Sequence, residues 1–363
     1  MPRWRTGSPA ASSSFPEAVR NHRGRRHHDT LRRHPYHRSR RELHRHPPTL
    51  DPGHPPLHHG PALQLALRRT ARENGLCFLV ETFTESGSST ILFDAGLTSE
   101  VVLHNARHLG VDLHEVEAVV LSHGHPDHFG GINGVLRAIG HPTPVVVHPD
   151  AFDPRMIVTS HTTLPMINIG LTREGIRASG GQPMEARGSV PLGPGLRTSG
   201  EMRTTADFEF EAPAGRLCVH ADGRVEADDI EDHQVLGIDV EGHGLIVIDP
   251  CGHRGVVSSV EHMRALTGTE KVHGVLGGFH TGHPGISTGW IENTAKALAA
   301  YEPQLIAPMH CSGFPLKKAV SDLAPEAFAL ITAGTVLTIG DVPADTAPGS
   351  DPRPFEQPYR GQR

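Results

Sequence analysis

Ser122-His123-Gly124-His125-Pro126-Asp127-His128-Phe129-Gly130-Gly131 is the stretch on which the reading of this chain turns. It follows directly on Val116–Leu121, an apolar run that reads as a buried strand. His123, His125 and His128, with the carboxylate of Asp127, offer the nitrogen and oxygen donors that zinc and related divalent ions prefer. A strand end is a rigid platform, and the spacers Gly124 and Pro126 turn alternate side chains toward a common point. The competing reading, a solvated His-rich loop, explains neither the strand before the motif nor the Gly-Gly helix entry after it.

Working outward, short apolar runs closed by Gly, Asp or Asn carry the punctuation of strands. Leu76–Thr82 and Thr90–Phe93 read as a strand pair, Ser99–Leu109 as a helix with Val102, Ala106 and Leu109 on one face, Gly131–Ile139 as a helix and Pro144–Val147 as a strand. Further on, Gln234–Val240 and Gly244–Ile248 read as a hairpin-like pair. Helix Val256–Leu266, strand Lys271–Leu276, helix Thr288–Ala300 and strand Gln304–Ala307 follow, and Thr335–Ile339 is the last apolar piece. Alternating strands and helices in two blocks predict a layered α/β domain. Residues 151–230, rich in Gly, Pro, Thr and Arg with little periodicity, read as a long irregular insertion that shapes a substrate pocket.

The flanks differ from this body. The first 60 of the 363 residues hold 12 Arg, no Lys, 4 acidic residues and 10 of the 28 His, a net charge of +8, whereas the remainder carries −14. Residues 1–65 therefore read as a disordered Arg/His/Pro-rich tail, in part an upstream start or a frameshifted reading, and 341–363 as a second disordered tail. No apolar signal core or membrane-length apolar stretch is legible, so the body reads as cytoplasmic. The Arg run lacks an aromatic platform, and no specific nucleic-acid partner is expected. Cys77, Cys218, Cys251 and Cys311 form no C-x-x-C pair and read as free thiols.

Three later segments also end strands and carry donors. Leu245–His253 holds Asp249, Cys251 and His253, any of which could ligate a metal. Ala307–Gly313 holds His310, with Cys311 expected to point away and pack. Gly277-Gly278-Phe279-His280 joins a glycine pair, which permits close backbone approach, to a histidine that could bind substrate or a metal.

H-x-H-x-D-H after a strand resembles the metallo-β-lactamase superfamily, and the resemblance runs from about residue 73 to 340, with Ile91–Gly96 similar to its early strand ending in Asp and Gly. It implies a four-layer αββα sandwich over residues 66–340. It also implies that His123 and His125 hold one metal, that Asp127, His128 and His310 hold a second, and that Cys251 takes the bridging Asp position, with Asp249 and His253 as competitors. His280 is an additional ligand or a substrate contact, and Asp94 a buttress behind the metal loop. Val102–Ala106, Leu109–Leu113, His148–Phe152, Thr198–Glu201, Gly277–His280 and His310–Gly313 are similar to the dihydropterin-methyl-ribofuranosylaminobenzene-phosphate synthase-like subfamily. Those relatives tend to read T-G-C-S-H where this chain reads Asp249-Pro250-Cys251-Gly252-His253.

The resemblance implies one or two divalent ions, zinc foremost, with iron or manganese served by the same donors. Redox di-iron members usually carry Glu at the position of His125. The expected activity is hydrolysis of a small, phosphorylated or pterin-like substrate, with Asp127 as the catalytic residue that ligates and orients the attacking water. A synthase-type condensation and a non-catalytic metal- or ligand-binding role are the alternatives. The oligomeric state is left open.

Overall fold

In the computed structural model the described residues are 70–340, apart from 86, 159–162, 167–169, 210–215, 221 and 284. Both expected tails, 1–65 and 341–363, lie outside the described residues. Strands β1 (Phe78–Thr84) and β2 (Gly87–Phe93) pair antiparallel, Phe78 opposite Phe93. Helix α1 (Ser99–Leu109) starts at Thr98, whose hydroxyl accepts the Val101 N–H at 3.4 Å, and stops at Gly110 in the left-handed region. Then come β3 (Ala118–Val120), the short α2 (Pro126–Phe129), α3 (Ile132–Ile139) and β4 (Thr143–Val147), with β2, β3 and β4 parallel.

The stretch expected to be irregular instead carries regular elements. These are β5 (Arg155–Val158), β6 (Thr163–Met166), α4 (Arg173–Ala178), β7 (Gly181–Glu185), β8 (Pro191–Gly193), β9 (Leu196–Thr198), β10 (Arg216–Val219) and β11 (Val225–Ala227). β7 completes the first sheet, in the order β1-β2-β3-β4-β7, and β11-β10-β5-β6 form a small sheet of their own. Strands of three to five residues are too short to show a period in sequence, which is why they escaped reading.

The second half holds β12 (Leu236–Val240), β13 (Gly244–Asp249), α5 (Val256–Thr267), β14 (Val272–Gly278), α6 (Thr288–Ala300), β15 (Leu305–Met309) and α7 (Gly313–Leu323). Its four strands, together with β8 and β9, build a sheet ordered β15-β14-β13-β12-β9-β8, in which β13, β14 and β15 run parallel. Thr335–Ile339 forms no regular element.

The two large sheets face each other through Ile91, Phe93, Val120 and Val146 on one side and Leu236, Ile246, Ile248, Leu276 and Ala307 on the other. On the outer face of the first sheet, Val119, Val145 and Val147 pack on Ile132, Val135, Leu136 and Ile139 of α3. On the outer face of the second, Leu245 and Val247 pack with Val256, Val260 and Met263 of α5 and with residues of α6 and α7. The uninterrupted Leu245-Ile246-Val247-Ile248 run is thus explained: alternate residues enter opposite layers, and both layers are dry. Each such side chain contributes about 1.5–3 kcal/mol by leaving water. The result is a four-layer αββα sandwich. Its parallel strands bring the residues after β2, β3, β13, β14 and β15 to one end.

Candidate metal centre

The loop after β3 is held from below by one carboxylate. Asp94 Oδ1 accepts the Ser122 N–H at 2.7 Å, and Oδ2 accepts the Ser122 hydroxyl at 2.8 Å and the His128 Nδ1–H at 2.7 Å. Asp94, Ser122 and His128 are all fully buried. Because His128 gives its Nδ1 proton to Asp94, its Nε2 carries the lone pair, and that atom is buried with no hydrogen-bond partner. Main-chain bonds from Ala95 to the His128 carbonyl (2.6 Å) and from Leu76 to the Asp127 carbonyl (3.0 Å) fix the same turn. From the second sheet, Gln234 Nε2 donates to the Leu121 carbonyl at 3.0 Å, and Asp232 accepts the Gly124 N–H at 2.7 Å. A Cβ on Gly124 would fall 2.3 Å from the Arg155 guanidinium and 2.4 Å from the Ala151 carbonyl, so only glycine fits.

Two groups of donors result. In the first, His123 Nε2 lies 3.0 Å from His125 Nδ1 and 3.1 Å from His253 Nε2. Burial, reinforced by the neighbouring imidazoles, pushes His123 and His253 well below the ordinary histidine pKa; burial and then Arg155 do the same to His125. All three rings are therefore neutral, each with one nitrogen lone pair that a metal could take. In the second group, Asp127 Oδ2 lies 3.3 Å from His310 Nε2 and 3.8 Å from His128 Nε2. Burial works to raise the Asp127 pKa, but the His310 contact and the surrounding imidazoles outweigh it, holding this carboxyl well below its usual range. Both His128 Nε2 and His310 Nε2 are buried without a hydrogen-bond partner.

Cys251 lies between the groups. Its Sγ is within 4.8 Å of donors of His123 and His253, and equally of His128 and His310. Asp249, the competing carboxylate, is used elsewhere: Oδ1 accepts the N–H groups of Gly252 (2.7 Å) and Cys251 (3.3 Å) and a ring N–H of His233 (3.0 Å), and Oδ2 accepts the Ser259 hydroxyl (2.7 Å). Asp249 thus shapes the turn that presents Cys251. His233, fully buried 5.5 Å from the His123 ring, was not singled out in the sequence because it stands in no donor spacing.

The glycine pair of β14 brings main chain close to the turn bearing Cys251: a Cβ on Gly277 would strike the Asp249 carbonyl, and one on Gly278 the Pro250 carbonyl and, at 2.7 Å, Cys311 Sγ. Cys311 does not point away, its Sγ standing 3.3 Å from Cys251 Sγ. Asp94, His280 and His310 all adopt positive φ, at 64°, 51° and 47°. Side chains rarely occupy that region, at a cost of order 1–3 kcal/mol each, and here all three lie at strand ends around the same site.

The model of the metallo-β-lactamase superfamily matches residues 70–169, which contain the whole H-x-H-x-D-H loop. A 7,8-dihydropterin-6-methyl-4-(β-D-ribofuranosyl)-aminobenzene-5'-phosphate synthase of Methanocaldococcus jannaschii is 31% identical over 271 residues, covering 73% of this chain and 90% of that one. The chain belongs to the metallo-β-lactamase superfamily. Its similarity to that synthase places it in the synthase-like subfamily. An uncharacterised protein of the same organism is 27% identical over 262 residues, 71% of this chain and 91% of its own. A solved structure described as Tm1679, a metal-dependent hydrolase of the β-lactamase superfamily, covers 70% of this chain and 91% of its own at a TM-score of 0.55 and 24% identity, and agrees in fold.

For a member of a superfamily whose proteins typically bind divalent metals, the donor chemistry fits. Neutral imidazoles, an ionised carboxylate, a thiol and the unpartnered buried Nε2 atoms of His125, His128 and His310 are what such an ion requires. His123, His125 and His253 could hold one ion, and Asp127, His128 and His310 a second, with Cys251 in reach of both. His280, its ring centroid 4.2 Å from that of His253, borders the first group. Among the described residues no helix is long and apolar enough to cross a membrane.

Proposed function

We propose that this chain is a metal-dependent hydrolase of a small, phosphorylated or pterin-like molecule, with zinc as its ion. The observation that carries the reading is the pair of donor groups flanking Cys251, in which the buried neutral imidazoles of His123, His125 and His253 stand beside the ionised carboxylate of Asp127. When bound there, a divalent ion supplies Lewis-acid polarisation of a substrate oxygen and lowers the pKa of water toward about 7. The chain does the rest. Asp94 keeps the His128 proton on Nδ1, so that Nε2 remains a ligand. Asp127 is the more open acid of the site, its side chain 28% exposed, and its ionised carboxylate can ligate and, by accepting a hydrogen bond, orient a water or hydroxyl beside it. The dry histidine shell strengthens every charge interaction inside it.

Glu201 is held by Arg187 at 2.7 Å and by His148 at 2.9 Å. Condensation is the second reading, and the 31% identity to a synthase favours it. Metal-loaded protein assayed on esters, lactones and phosphodiesters, and separately on an aminobenzene ribophosphate with a dihydropterin, separates the two. Hydrolysis that disappears in His123→Ala and Asp127→Ala supports the first; a coupled product supports the second. Tight metal uptake with no turnover on either panel refutes both and leaves a non-catalytic binding protein.

A further inference from the structure

Cys251 Sγ belongs to a third donor group that the hydrolytic reading does not use. Together with Cys311 Sγ and a ring nitrogen of His280 it forms a set whose donor atoms all lie within 4.8 Å of one another. The sulfurs are 3.3 Å apart, and His280 Nδ1 is 3.6 Å from Cys251 Sγ. The cluster is built rather than incidental. Asp249 fixes the turn bearing Cys251, and His280 is held at φ 51° at the end of β14. Cys311 lies in the one-turn helix His310–Ser312, whose Ser312 hydroxyl donates to the Met309 carbonyl at 2.7 Å and accepts the Phe279 N–H at 3.0 Å.

We propose that Cys251, Cys311 and His280 form a third cation position, beside the two histidine groups, that takes a thiophilic ion such as zinc, cadmium or cuprous copper in preference to magnesium, calcium or manganese. Two sulfurs and one imidazole are soft donors, and hard cations demand oxygen. Binding forms two metal–sulfur bonds and one metal–nitrogen bond; each thiol that is protonated releases its proton to water, and no electron is transferred. Cys251 then joins this position to the other two. The proposal rests on the metal-centre reading only for that sharing, because the cluster itself needs none of His123, Asp127 or His310.

The test uses the full-length chain, reduced, stripped of metal by chelation and titrated anaerobically with Co²⁺, reading the sulfur-to-cobalt charge-transfer absorption and the number of ions bound. The absorption should appear in the wild type. It should persist, with one ion bound, in a His123→Ala/Asp127→Ala double variant that has lost the other ions. In Cys311→Ser it should fall to about half, one thiolate remaining of two. Cobalt bound by the wild type with no sulfur absorption overturns the proposal while leaving the histidine centre standing, as does a Cys311→Ser spectrum equal to wild type. A thiol count on unfolded, unreduced protein guards against the remaining alternative: four thiols agree with the proposal, and two would mean that the sulfurs are joined as a disulfide instead. If one variant does not fold the other decides, because Cys251 alone can give sulfur absorption at the histidine groups: persistence in the double variant or a fall in Cys311→Ser supports the proposal, and the opposite result in either overturns it.

Discussion

Replacing Asp94 probes how the fold makes the metal loop a ligand set. Asp94→Ala strips the acceptor from three buried donors at once: the Ser122 N–H, the Ser122 hydroxyl and His128 Nδ1–H. Each buried donor left alone costs about 1–3 kcal/mol, but the three share one acceptor and do not add, so the loss expected is that of breaking a buried hydrogen-bonded pair, about 3–5 kcal/mol. Alanine at φ 64° adds strain of about 1–2 kcal/mol. Asp94→Asn is the sharper experiment. Asparagine tolerates the left-handed backbone and keeps an oxygen for the Ser122 N–H, so stability should fall by only about 1–2 kcal/mol. Its amide, however, donates where the carboxylate accepted. His128 must then accept at Nδ1 and carry its proton on Nε2, the atom that faces Asp127 and His310. Chelator competition should show metal bound about 10–100-fold more weakly at one position, with the other unchanged. Urea denaturation of the metal-free chain measures the stability. If Asp94→Asn binds metal as the wild type does, the tautomer argument is refuted.

Other consequences follow from groups around the site. Arg155 is buried against Asp228, at 3.0 Å, and Asp232, so Arg155→Met strands two carboxylates and should cost about 3–5 kcal/mol in urea denaturation; a smaller loss than 1 kcal/mol would mean that the network is not buried in solution. Gly124→Ala forces a Cβ against the Ala151 carbonyl, which should lower stability by about 1–3 kcal/mol and weaken metal binding together, both measurable on the same sample. Burial raises the Glu209 pKa from its ordinary 4.5 to about 6, although the N–H groups of Val257 and Ser258 work against the shift. The raised folded value means that the carboxyl's stabilising contribution is complete below pH 4.5 and is lost as pH climbs through about 6. The amount is about 2 kcal/mol, and the difference between wild type and Glu209→Gln across that window should show it.

What the sequence disclosed depended on how local the signal was. The H-x-H-x-D-H donors were legible because they are contiguous and follow a strand, and helices Ser99–Leu109 and Thr288–Ala300 were read to the residue because they carry period and caps. Helix α7 was missed: its opening Gly-Phe-Pro resembles a loop, although proline is tolerated in a first helical turn. The elements within 151–230 were missed because each is too short to display a period. Cys311 was misread for a geometric reason. Neighbours on a strand point to opposite faces, but His310–Ser312 is a tight helical turn, where successive side chains differ by roughly a third of a revolution, so His310 and Cys311 both reach the site. The role of Asp249 could not be read at all, since whether a carboxylate ligates or shapes a turn depends on its main-chain neighbours.

The most direct test is an anomalous-difference map from crystals of protein purified without added metal, at the absorption edge of whichever metal elemental analysis finds. Peaks between His123, His125 and His253, and between Asp127, His128 and His310, with Cys251 in contact, are the predicted result. A metal-free map under conditions where the protein is active, or peaks away from these residues and from the Cys251, Cys311 and His280 cluster, would contradict the account.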